Sequence, residues 1–399
     1  MSTIFIQIAS YRDPQLIPTL EDLLEKADNP QNLHICIAHQ HSEEDEWDII
    51  PSGIKEKCRF TIIDIPYQEA QGACWARNQI QQKYDGETYT FQLDSHHRFI
   101  EGWDSELITM LKNLQQKGHN KPLITSYIPS FDPSNDPQGR VNTPWGMGWD
   151  RFIPEGAIFF LPYYMEKQDE PKPGRFYSAH FAFTLGEFAN EVQHDPNYYF
   201  HGEEISIAVR SFTHGYDIFH PHKVIAWHEY TRVGRTKQWD DDTTWVDRNN
   251  KSHKRNRELL GVDGESADYD FGKYGFGTER SLEDWEQMMG IRFRDRAIQS
   301  HIKGNTDPHI SDEPFYPVFK HPLEFSKDKL THDDYEWFAV IFEDENGTAI
   351  HRRDEQNTNI LNQPNITIWE EYQGPPPHKW IVWPYSKSKG WVDKIEVTI

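Results

Sequence analysis

Four polar residues stand where an apolar stretch ends: "TYTFQL" is followed by Asp94, Ser95, His96 and His97. Residues two apart project to the same side of an extended chain, so Asp94 and His96 can bind one cation together. A carboxylate with an imidazole suits Mn²⁺ or another borderline divalent ion better than Mg²⁺, which prefers oxygen ligands. An ordinary polar turn is the alternative, because Asp and Ser are common turn residues.

A third ligand is available at His228, which directly follows the apolar run "VIAW". The sequence lacks the histidine spacing of zincin peptidases, and "HGEE" is not accompanied by the Pro-Cys-x-x-Cys of zinc deaminases. Both of these metal-hydrolase classes therefore lose support. Because the chain contains 20 histidines, a chance pairing of His228 with Asp94 and His96 is the alternative.

Three further residues are candidates for binding phosphate groups. Gly72 and Arg77 lie near the start of a predicted helix, and Arg12 follows the first predicted strand. Glycine permits close approach of the backbone, and the exposed N–H groups at a helix start favour anions. A turn glycine with two solvated arginines is the alternative interpretation.

Two adjacent carboxylates, Glu203 and Glu204, begin another predicted helix directly after His201 and Gly202. The helix dipole stabilises carboxylates at this position, which is sufficient to account for them. Alternatively, they bind the hydroxyl groups of a sugar. The aromatic content of 14% fits that interpretation, since a surplus of rings suits proteins that stack sugars.

The segments that must position these residues alternate between strands and helices in the first third of the chain. Strands are predicted at 4–9, 33–39, 59–65, 89–93 and in "PLITSYI", with helices from 18, over 71–83 and in "GWDSELITMLKNL". Such alternation predicts a mostly parallel sheet covered on both faces, with ligands bound at the carboxyl ends of its strands. Asp94 lies at one of those ends.

Two later regions depart from this pattern. Residues 129–174 are rich in Pro, Gly, Asn, Asp and Trp, and we expect a structureless loop that covers the substrate. After about residue 320, strand-length runs, an Asn-Gly turn and Pro-rich breaks predict a small antiparallel β domain. The predicted organisation is a main domain at 1–310 and a C-terminal β-rich domain at 320–399.

Composition excludes several classes of partner and location. The formal net charge of −23 argues against nucleic acid or an anionic membrane, because phosphates would be repelled. No apolar run is long enough to cross a bilayer, and the N-terminus has neither the basic region nor the cleavage site of a signal peptide. Three scattered cysteines are too few for a disulfide framework. We therefore expect a cytoplasmic protein.

Several motifs carry a family resemblance when they are taken together: "IASYRDPQLIPTLEDLL", "QLDSHHRFIEGWDSELI", "FHGEEISIAVRSF", "WHEYTR" and "GFGTERSLEDW". Over roughly residues 3–290 the chain resembles the UDP-GlcNAc:polypeptide α-N-acetylglucosaminyltransferases, which modify hydroxyproline of a ubiquitin-ligase adaptor. More distantly, the order of motifs is similar to that of the mucin-type polypeptide GalNAc-transferases. The resemblance does not extend to the C-terminal β-rich domain.

This resemblance implies an α/β fold of the GT-A nucleotide-sugar type, with a Rossmann-like mostly parallel sheet, a divalent metal and a retaining transfer. Asp94, His96 and His228 correspond to the metal ligands, and Glu203 and Glu204 are the expected catalytic carboxylates. The residues expected to bind UDP, the donor sugar or the acceptor are Arg12, Gly72, Arg77, Ser178, Ala179, His180, His201 and Arg232.

We therefore expect a metal-dependent retaining glycosyltransferase with Mn²⁺ as its cofactor. By the resemblance, it moves GlcNAc from a UDP-sugar to a hydroxyl acceptor on a protein or glycan. His97 has no assigned role in this scheme. A non-catalytic carbohydrate-binding protein and a nucleotide-sugar hydrolase are the two alternatives, and they differ in whether the UDP-sugar is consumed and whether an acceptor is needed.

Overall fold

The computed structural model describes residues 2–232 and 234–399. The chain divides into two compact units, Met1–Arg294 with His301–Ser311, and Asp295–Ser300 with Asp312–Ile399. The first unit contains every candidate metal-binding and substrate-binding residue.

The first unit combines short strands with amphipathic helices. Its strands are β1 (Ile4–Tyr11), β2 (Leu33–His41), β3 (Arg59–Pro66), β4 (Tyr89–Asp94), β5 (His97–Phe99), β6 (Pro122–Thr125), β7 (Trp145–Phe152), β8 (Ile158–Tyr164), β9 (Lys172–Pro173), β10 (Phe181–Leu185), β11 (Asp217–His220), β12 (Ala226–His228) and β13 (Ile291–Arg292). Its helices are α1 (Leu16–Glu25), α2 (Ser52–Lys55), α3 (Ala73–Gln81), α4 (Trp103–Gln116), α5 (Phe188–Glu191), α6 (Glu203–Thr213), α7 (Gln238–Asp241), α8 (Trp245–Leu260) and α9 (Leu282–Met289).

The main sheet has the strand order β3-β2-β1-β4-β10-β6-β11-β9. Neighbours among β3, β2, β1 and β4 are parallel, as are β6 and β11, whereas β10 and β9 run antiparallel to their neighbours. The prediction of a mostly parallel sheet is therefore confirmed.

Helices cover both faces of this sheet, which explains why its central strands are apolar throughout. On one face, Ile6 and Ile8 of β1 belong to a buried cluster with Leu20 of α1 and Trp103 of α4. On the other face, Phe5 belongs to a cluster with residues of α3. Because successive strand residues point to opposite faces, β1 contributes to both clusters.

The three cysteines are free thiols, and Cys36 and Cys74 are buried. Burial raises the pKa of the Cys36 thiol to about 12, so this side chain behaves as a small apolar group. Among the helices of the described residues, none is long and apolar enough to cross a membrane.

The prediction of a structureless loop over residues 129–174 is wrong in its central part, where β7 and β8 form an antiparallel hairpin. A Cβ atom at Gly146 would lie 2.2 Å from Cζ of Tyr163, so glycine allows that ring to lie across the strand. Trp145 and Tyr164, on opposite strands of the hairpin, form an aromatic pair with ring centroids 6.0 Å apart. The glycines that suggested a loop therefore permit close aromatic packing between two strands.

The second unit is built from antiparallel strands. They are β14 (Ala297–Ile298), β15 (Tyr316–Ser326), β16 (Tyr335–Glu343), β17 (Ala349–Glu355), β18 (Asn365–Gln373), β19 (Lys379–Ser386), β20 (Gly390–Trp391) and β21 (Ile395–Thr398). β15 pairs with β18, while β16 pairs with both β17 and β19. Leu323, Val340 and Trp380 belong to the buried apolar core of this unit. The antiparallel β architecture predicted for this part of the chain is confirmed.

Trp103 provides a test of the packing in the first unit. It is fully buried, its Nε1 donates a hydrogen bond to the Leu23 carbonyl at 2.9 Å, and the rings of Phe91 and Phe99 lie next to it. We expect Trp103→Ala to lower the free energy of unfolding by about 3–5 kcal/mol, because it leaves a cavity and an unpaired carbonyl.

Urea denaturation measures this effect. The control is Trp245→Ala, at a ring that is 36% exposed on α8, which should change the free energy of unfolding by less than about 1 kcal/mol. Equal effects of the two substitutions would contradict the packing described for Trp103.

Candidate active site and metal-binding cluster

Asp94 is the last residue of β4, at the carboxyl end of a strand that lies between β1 and β10. Its Oδ1 accepts a hydrogen bond from Nη2 of Arg77 at 3.0 Å, and Arg77 is buried on α3. Burial by itself would raise the pKa of Asp94, but His228 and Arg77 beside it hold that pKa well below its usual range. Asp94 is therefore an ionised carboxylate in a largely buried position.

His96 and His228 approach the second oxygen of Asp94. The Oδ2 atom lies 3.7 Å from Nε2 of His96 and 3.5 Å from Nε2 of His228, and the three ligand atoms lie within 4.8 Å of one another. Apart from the 3.5 Å approach of Nε2 to Asp94, neither ring nitrogen of His228 has a hydrogen-bond partner among residues 2–232 and 234–399. Since buried polar groups are normally paired, the missing partner fits a divalent cation bound by these three residues.

Main-chain pairing places His228 beside the end of β4, although the two are far apart in sequence. β12 pairs antiparallel with β5, and His228 lies opposite His97 in that pairing. The His228 N–H donates to the carbonyl of Pro129 at 2.9 Å, and its carbonyl accepts from the N–H of Phe131 at 3.2 Å. His228 is therefore held by backbone on both sides rather than by a free loop.

Asp13 orients the imidazole of His96. Its Oδ2 lies 2.7 Å from Nδ1 of His96, and the same oxygen accepts from the hydroxyl of Ser95 at 2.7 Å. Arg235 contacts both Asp13 and His96. With the proton on Nδ1 bound to Asp13, Nε2 keeps its lone pair directed towards Asp94. A carboxylate behind a histidine is the usual way in which a metal-binding imidazole is fixed.

Two more imidazoles, those of His97 and His180, complete a cluster with His96 and His228. The His180 ring stacks on that of His228 with centroids 4.2 Å apart, and its Nδ1 lies 3.1 Å from the hydroxyl of Ser178. His97 is fully buried, and its Nδ1 lies 3.0 Å from the carbonyl of Asp94. Burial lowers the pKa of His180 to about 3 and that of His97 and His228 well below the usual value. These rings are therefore neutral at physiological pH.

Glu203 and Glu204 begin α6 with different partners. Oε1 of Glu203 lies 3.4 Å from Nη1 of Arg77, so this arginine connects Glu203 with Asp94. Both oxygens of Glu204 are occupied, one by the N–H of Ala179 at 2.9 Å and the other by the hydroxyl of Tyr127 at 3.0 Å. Burial raises the pKa of both carboxyl groups, and it is the largest cause in each case.

Two cavities meet at the metal-binding cluster, and both are lined by Arg77, Asp94, Phe200 and Arg232. The first lies over the carboxyl ends of β1 and β2, and the second has a volume of about 790 Å³. The lining of the first cavity includes Tyr11, Gln40, Gly72, Ala73, Arg235 and Lys237. The second is lined by Tyr127, Trp145, Phe159, Phe160, Ala179, His180, His201, Glu203, Glu204, His228 and Tyr230, among others.

The structure separates the three residues predicted to bind phosphate groups. Gly72 and Arg77 line the first cavity. Arg12, in contrast, is engaged by carboxylates: its guanidinium binds both oxygens of Asp45 at 2.9 Å and Oδ2 of Asp241 at 3.1 Å. Its charge is therefore already compensated, and the geometry gives it a role in holding two loops together.

Gly72 shows why glycine is needed at the start of α3. Its φ of 114° is a conformation that other residues rarely adopt, and a Cβ atom there would lie 2.7 Å from the carbonyl oxygen of Tyr199. The N–H of Ala73 donates to the same carbonyl at 3.1 Å. The close approach fixes the segment before Glu203 against the helix that carries Arg77.

Sequence reasoning missed four side chains in this region: Asp13, Tyr127, Tyr230 and Arg235. Asp13 lies two residues after the end of β1, at the carboxyl end of a parallel strand, which is a signal that could have been used. The hydroxyl of Tyr230 lies 3.2 Å from Nε2 of His180, and Tyr127 binds Glu204. These tyrosines lie on segments without regular structure, so no helical or strand-like hydrophobic periodicity in the sequence pointed to them.

Comparison with known proteins gives one family and several distant structures. Residues 3–55 and 51–295 match the model of the family described as Glycosyltransferase (GlcNAc). No curated protein matches the sequence significantly. The solved structures that resemble this chain share little sequence identity with it. Each of the three named next has a TM-score below 0.5.

GalNAc-T7, solved with UDP, GalNAc and Mn²⁺, is 14% identical over 65% of this chain, with a TM-score of 0.47. The match covers about half, 48%, of the length of the GalNAc-T7 chain. TarS of S. aureus is 10% identical over 99% of this chain and 77% of its own, with a TM-score of 0.39. The mannosyltransferase PcManGT of Pyrobaculum calidifontis, solved with GDP-Man and Mn²⁺, is 10% identical over 58% of each chain, with a TM-score of 0.34.

The family match covers well over half of the chain and includes every residue of the metal-binding cluster and the two cavities. The mostly parallel sheet, its helical layers and the antiparallel C-terminal unit agree with the predicted α/β class and with the β-rich character predicted for the C-terminal part. The chain belongs to the glycosyltransferase (GlcNAc) family.

Proposed function

We propose that this protein transfers GlcNAc from UDP-GlcNAc to a hydroxyl group of a protein or glycan, with retention of configuration at the anomeric carbon. The observation that carries the proposal is the convergence of Asp94, His96 and His228 at the junction of two cavities, with their ligand atoms within 4.8 Å of one another. The description of the family supports GlcNAc as the donor sugar.

Asp94, His96 and His228 would hold Mn²⁺. When bound, such an ion supplies Lewis-acid stabilisation of the negative charge that forms on a departing diphosphate. The three side chains suit this role because each offers a lone pair or charge, while Asp13 and Arg77 hold two of them in place. A local positive site is also required by the net charge of −23, which otherwise repels a nucleotide.

The first cavity is the proposed UDP site. Arg232 and Lys237 bring positive charge to its wall, and the start of α3 at Gly72 and Ala73 presents backbone to it. The N–H of Ala73 is already donated to the Tyr199 carbonyl, so the charges of Arg232 and Lys237, rather than this helix start, would attract the phosphate groups. Arg77 adds a fixed charge at the junction with the second cavity, where a leaving diphosphate would gain negative charge.

The second cavity is the proposed site of the donor sugar and the acceptor. Its aromatic rings offer faces for stacking pyranose rings, and the hairpin residues Trp145, Phe159 and Phe160 form a wall that excludes water. Excluding water protects a UDP-sugar from hydrolysis. The acceptor class, including hydroxyproline in a polypeptide, is part of the proposal.

The engagement of the carboxylates supports one of the two routes to retention. Both oxygens of Glu204 accept hydrogen bonds, and one oxygen of Glu203 contacts Arg77 at 3.4 Å, while burial raises the pKa of Glu203 and so favours its neutral form, which is a poor nucleophile. A carboxylate nucleophile needs a free oxygen beside the anomeric carbon. We therefore favour a route in which the acceptor enters on the face that UDP leaves, with Glu203 and Glu204 positioning the sugar and the wall around it.

We also retain a cytoplasmic location as a proposal. Three cysteines that are free thiols, two of them buried, suit a reducing compartment. The net charge supports the absence of nucleic acid and membrane partners from this scheme.

A panel of UDP-sugars with peptide and glycan acceptors tests the proposal directly. We expect UDP release and an α-linked product from UDP-GlcNAc with Mn²⁺, and less than about a tenth of that rate in excess chelator, since the diphosphate charge is then unscreened. Coupled UDP detection and NMR of the product measure both. Free GlcNAc without an acceptor would instead indicate a hydrolase, and glycan binding without UDP release would indicate a binding protein.

His228→Ala tests the metal site by removing one of its three proposed ligands. We expect turnover to fall by more than about 100-fold, since loss of an outer-shell partner alone commonly costs 10–100-fold. Circular dichroism should show an unchanged fold. The matched control is His222→Ala, a histidine on the segment before β12, which should keep the wild-type rate. Wild-type turnover in His228→Ala would remove this residue from the metal site.

The buried histidines predict a pH dependence of stability. The pKa of His180 is lowered to about 3 from 6.5, so between these values the unfolded chain binds a proton that the folded protein does not. The free energy of unfolding should therefore fall as the pH is lowered through this window, by at most about 1.4 kcal/mol per pH unit for one such group.

Urea denaturation at several pH values measures this slope. A chelator is included because a bound cation would compete with protons for the histidines and add its own pH dependence. His180→Asn should flatten the slope, whereas His119→Asn, at a histidine side chain that is 39% exposed, serves as the surface control. A slope in His180→Asn equal to that of the wild type would contradict the burial of a neutral imidazole.

A further inference from the structure

A second cluster of ligand-type side chains lies outside both cavities, at the carboxyl end of β2. His39 and His41 are two residues apart on this strand, so their side chains lie on the same face of the sheet. Their rings are nearly parallel, at an angle of 16°, with centroids 4.8 Å apart.

The chain then turns back and places a carboxylate beside this pair. Two successive turns follow β2: the N–H of Asp45 donates to the carbonyl of Ser42, and the N–H of Asp48 donates to the carbonyl of Asp45. Asp48 Oδ1 thereby lies 2.6 Å from Nδ1 of His41. The side chains of His41 and Asp48 are only 17% and 16% exposed, so this is not a loose surface contact.

The structure assigns His39, His41 and Asp48 to a second metal site, one for Zn²⁺. Each of the three offers one ligand atom, and these atoms lie within 4.8 Å of one another. Two imidazoles and one carboxylate, with a water molecule in the fourth position, form a common zinc coordination set. Nothing in the proposed transfer reaction uses these residues.

Asp64 on the neighbouring strand β3 completes the arrangement. Its Oδ1 lies 3.2 Å from Nε2 of His41, on the side of the ring away from Asp48. If the Nε2 proton is donated to Asp64, the Nδ1 lone pair is left for a metal shared with Asp48. This carboxylate–histidine–metal order is the one in which outer-shell carboxylates fix zinc-binding imidazoles.

The alternative without a metal is a hydrogen bond between Nδ1 of His41 and Asp48 alone. That alternative accounts for Asp48, but it gives His39 and Asp64 no part, although the His39 ring lies against that of His41. The metal site accounts for all four residues. It also fixes the loop that carries Asp45, the residue that binds the Arg12 guanidinium through both oxygens.

The experiment is a Zn²⁺ titration of the full chain after removal of metals by a chelator. Asp94→Asn is used as the background, so that the candidate catalytic site does not contribute. Isothermal titration calorimetry should give one equivalent of Zn²⁺ bound, and the melting temperature should rise with added Zn²⁺. Co²⁺ in place of Zn²⁺ provides a spectroscopic signature of tetrahedral nitrogen and oxygen ligands.

Variants at the cluster make the result specific. In the same background, His39→Gln and Asp48→Asn should lose the bound equivalent, and Asp64→Asn should weaken it by about 10–100-fold. The matched control is His119→Gln, a histidine whose Nδ1 also pairs with a carboxylate, that of Asp217, at 2.8 Å. It should bind Zn²⁺ as the background does.

No bound Zn²⁺ in the Asp94→Asn background would overturn the second site, and so would unchanged binding after His39→Gln. The outcome is separate from that of the proposed function. If transfer from UDP-GlcNAc fails, the number of Zn²⁺ ions bound at this cluster is unaffected. If Zn²⁺ does not bind here, the Mn²⁺ dependence of transfer still tests the proposed function.

Discussion

The ion pair between Asp94 and Arg77 is the contact on which the candidate site depends. A charge removed from water is tolerated only when another group compensates it, and removal of one partner leaves the other costly. Arg77 compensates both Asp94 at the end of β4 and Glu203 at the start of α6. Three elements that are distant in sequence are therefore fixed relative to one another by a single guanidinium.

A second set of charges connects the metal-binding histidines with the wall of the first cavity. Glu229 follows His228 and accepts from the N–H of Arg232 at 2.8 Å, and its other oxygen binds Arg235 at 3.0 Å. Arg235 in turn contacts Asp13 and His96. The backbone that carries Arg232 is thus positioned by the same network that orients His96 and includes the residue after His228. A displacement of Arg232 in the wall of the first cavity should therefore alter the position of His96 as well.

The sequence predicted the parallel sheet and the approach of Asp94, His96 and His228 better than it predicted the details. Buried parallel strands are long apolar runs, and polar residues at their ends are easy to recognise. The hairpin of β7 and β8 was missed because its glycines resemble loop residues, whereas Gly146 makes room for the ring of Tyr163. Helix α8 was missed because its sequence is strongly polar, with few apolar residues to set a helical period.

Side-chain partnerships were the part that sequence could not supply. Arg12 was expected near the nucleotide, yet it binds Asp45 and Asp241, which no local pattern connects with it. Glu204 was expected to act on the sugar, yet its oxygens are occupied by Ala179 and Tyr127. In the sequence, Glu203 and Glu204 look alike, since both are carboxylates at the start of the same predicted helix. Only their long-range contacts distinguish them.

The backbone contact between Gly72 and Tyr199 explains how the two cavities come to share Arg77 and Phe200 in their walls. A side chain at position 72 would collide with the Tyr199 carbonyl, and the displaced segment would carry Phe200 and Glu203 with it. Phe200 and Arg77 line both cavities, so the width of the junction depends on the distance between α3 and this segment. A single glycine thus sets the space in which a sugar could be positioned between a nucleotide and an acceptor, because no other residue combines its φ with so close a contact.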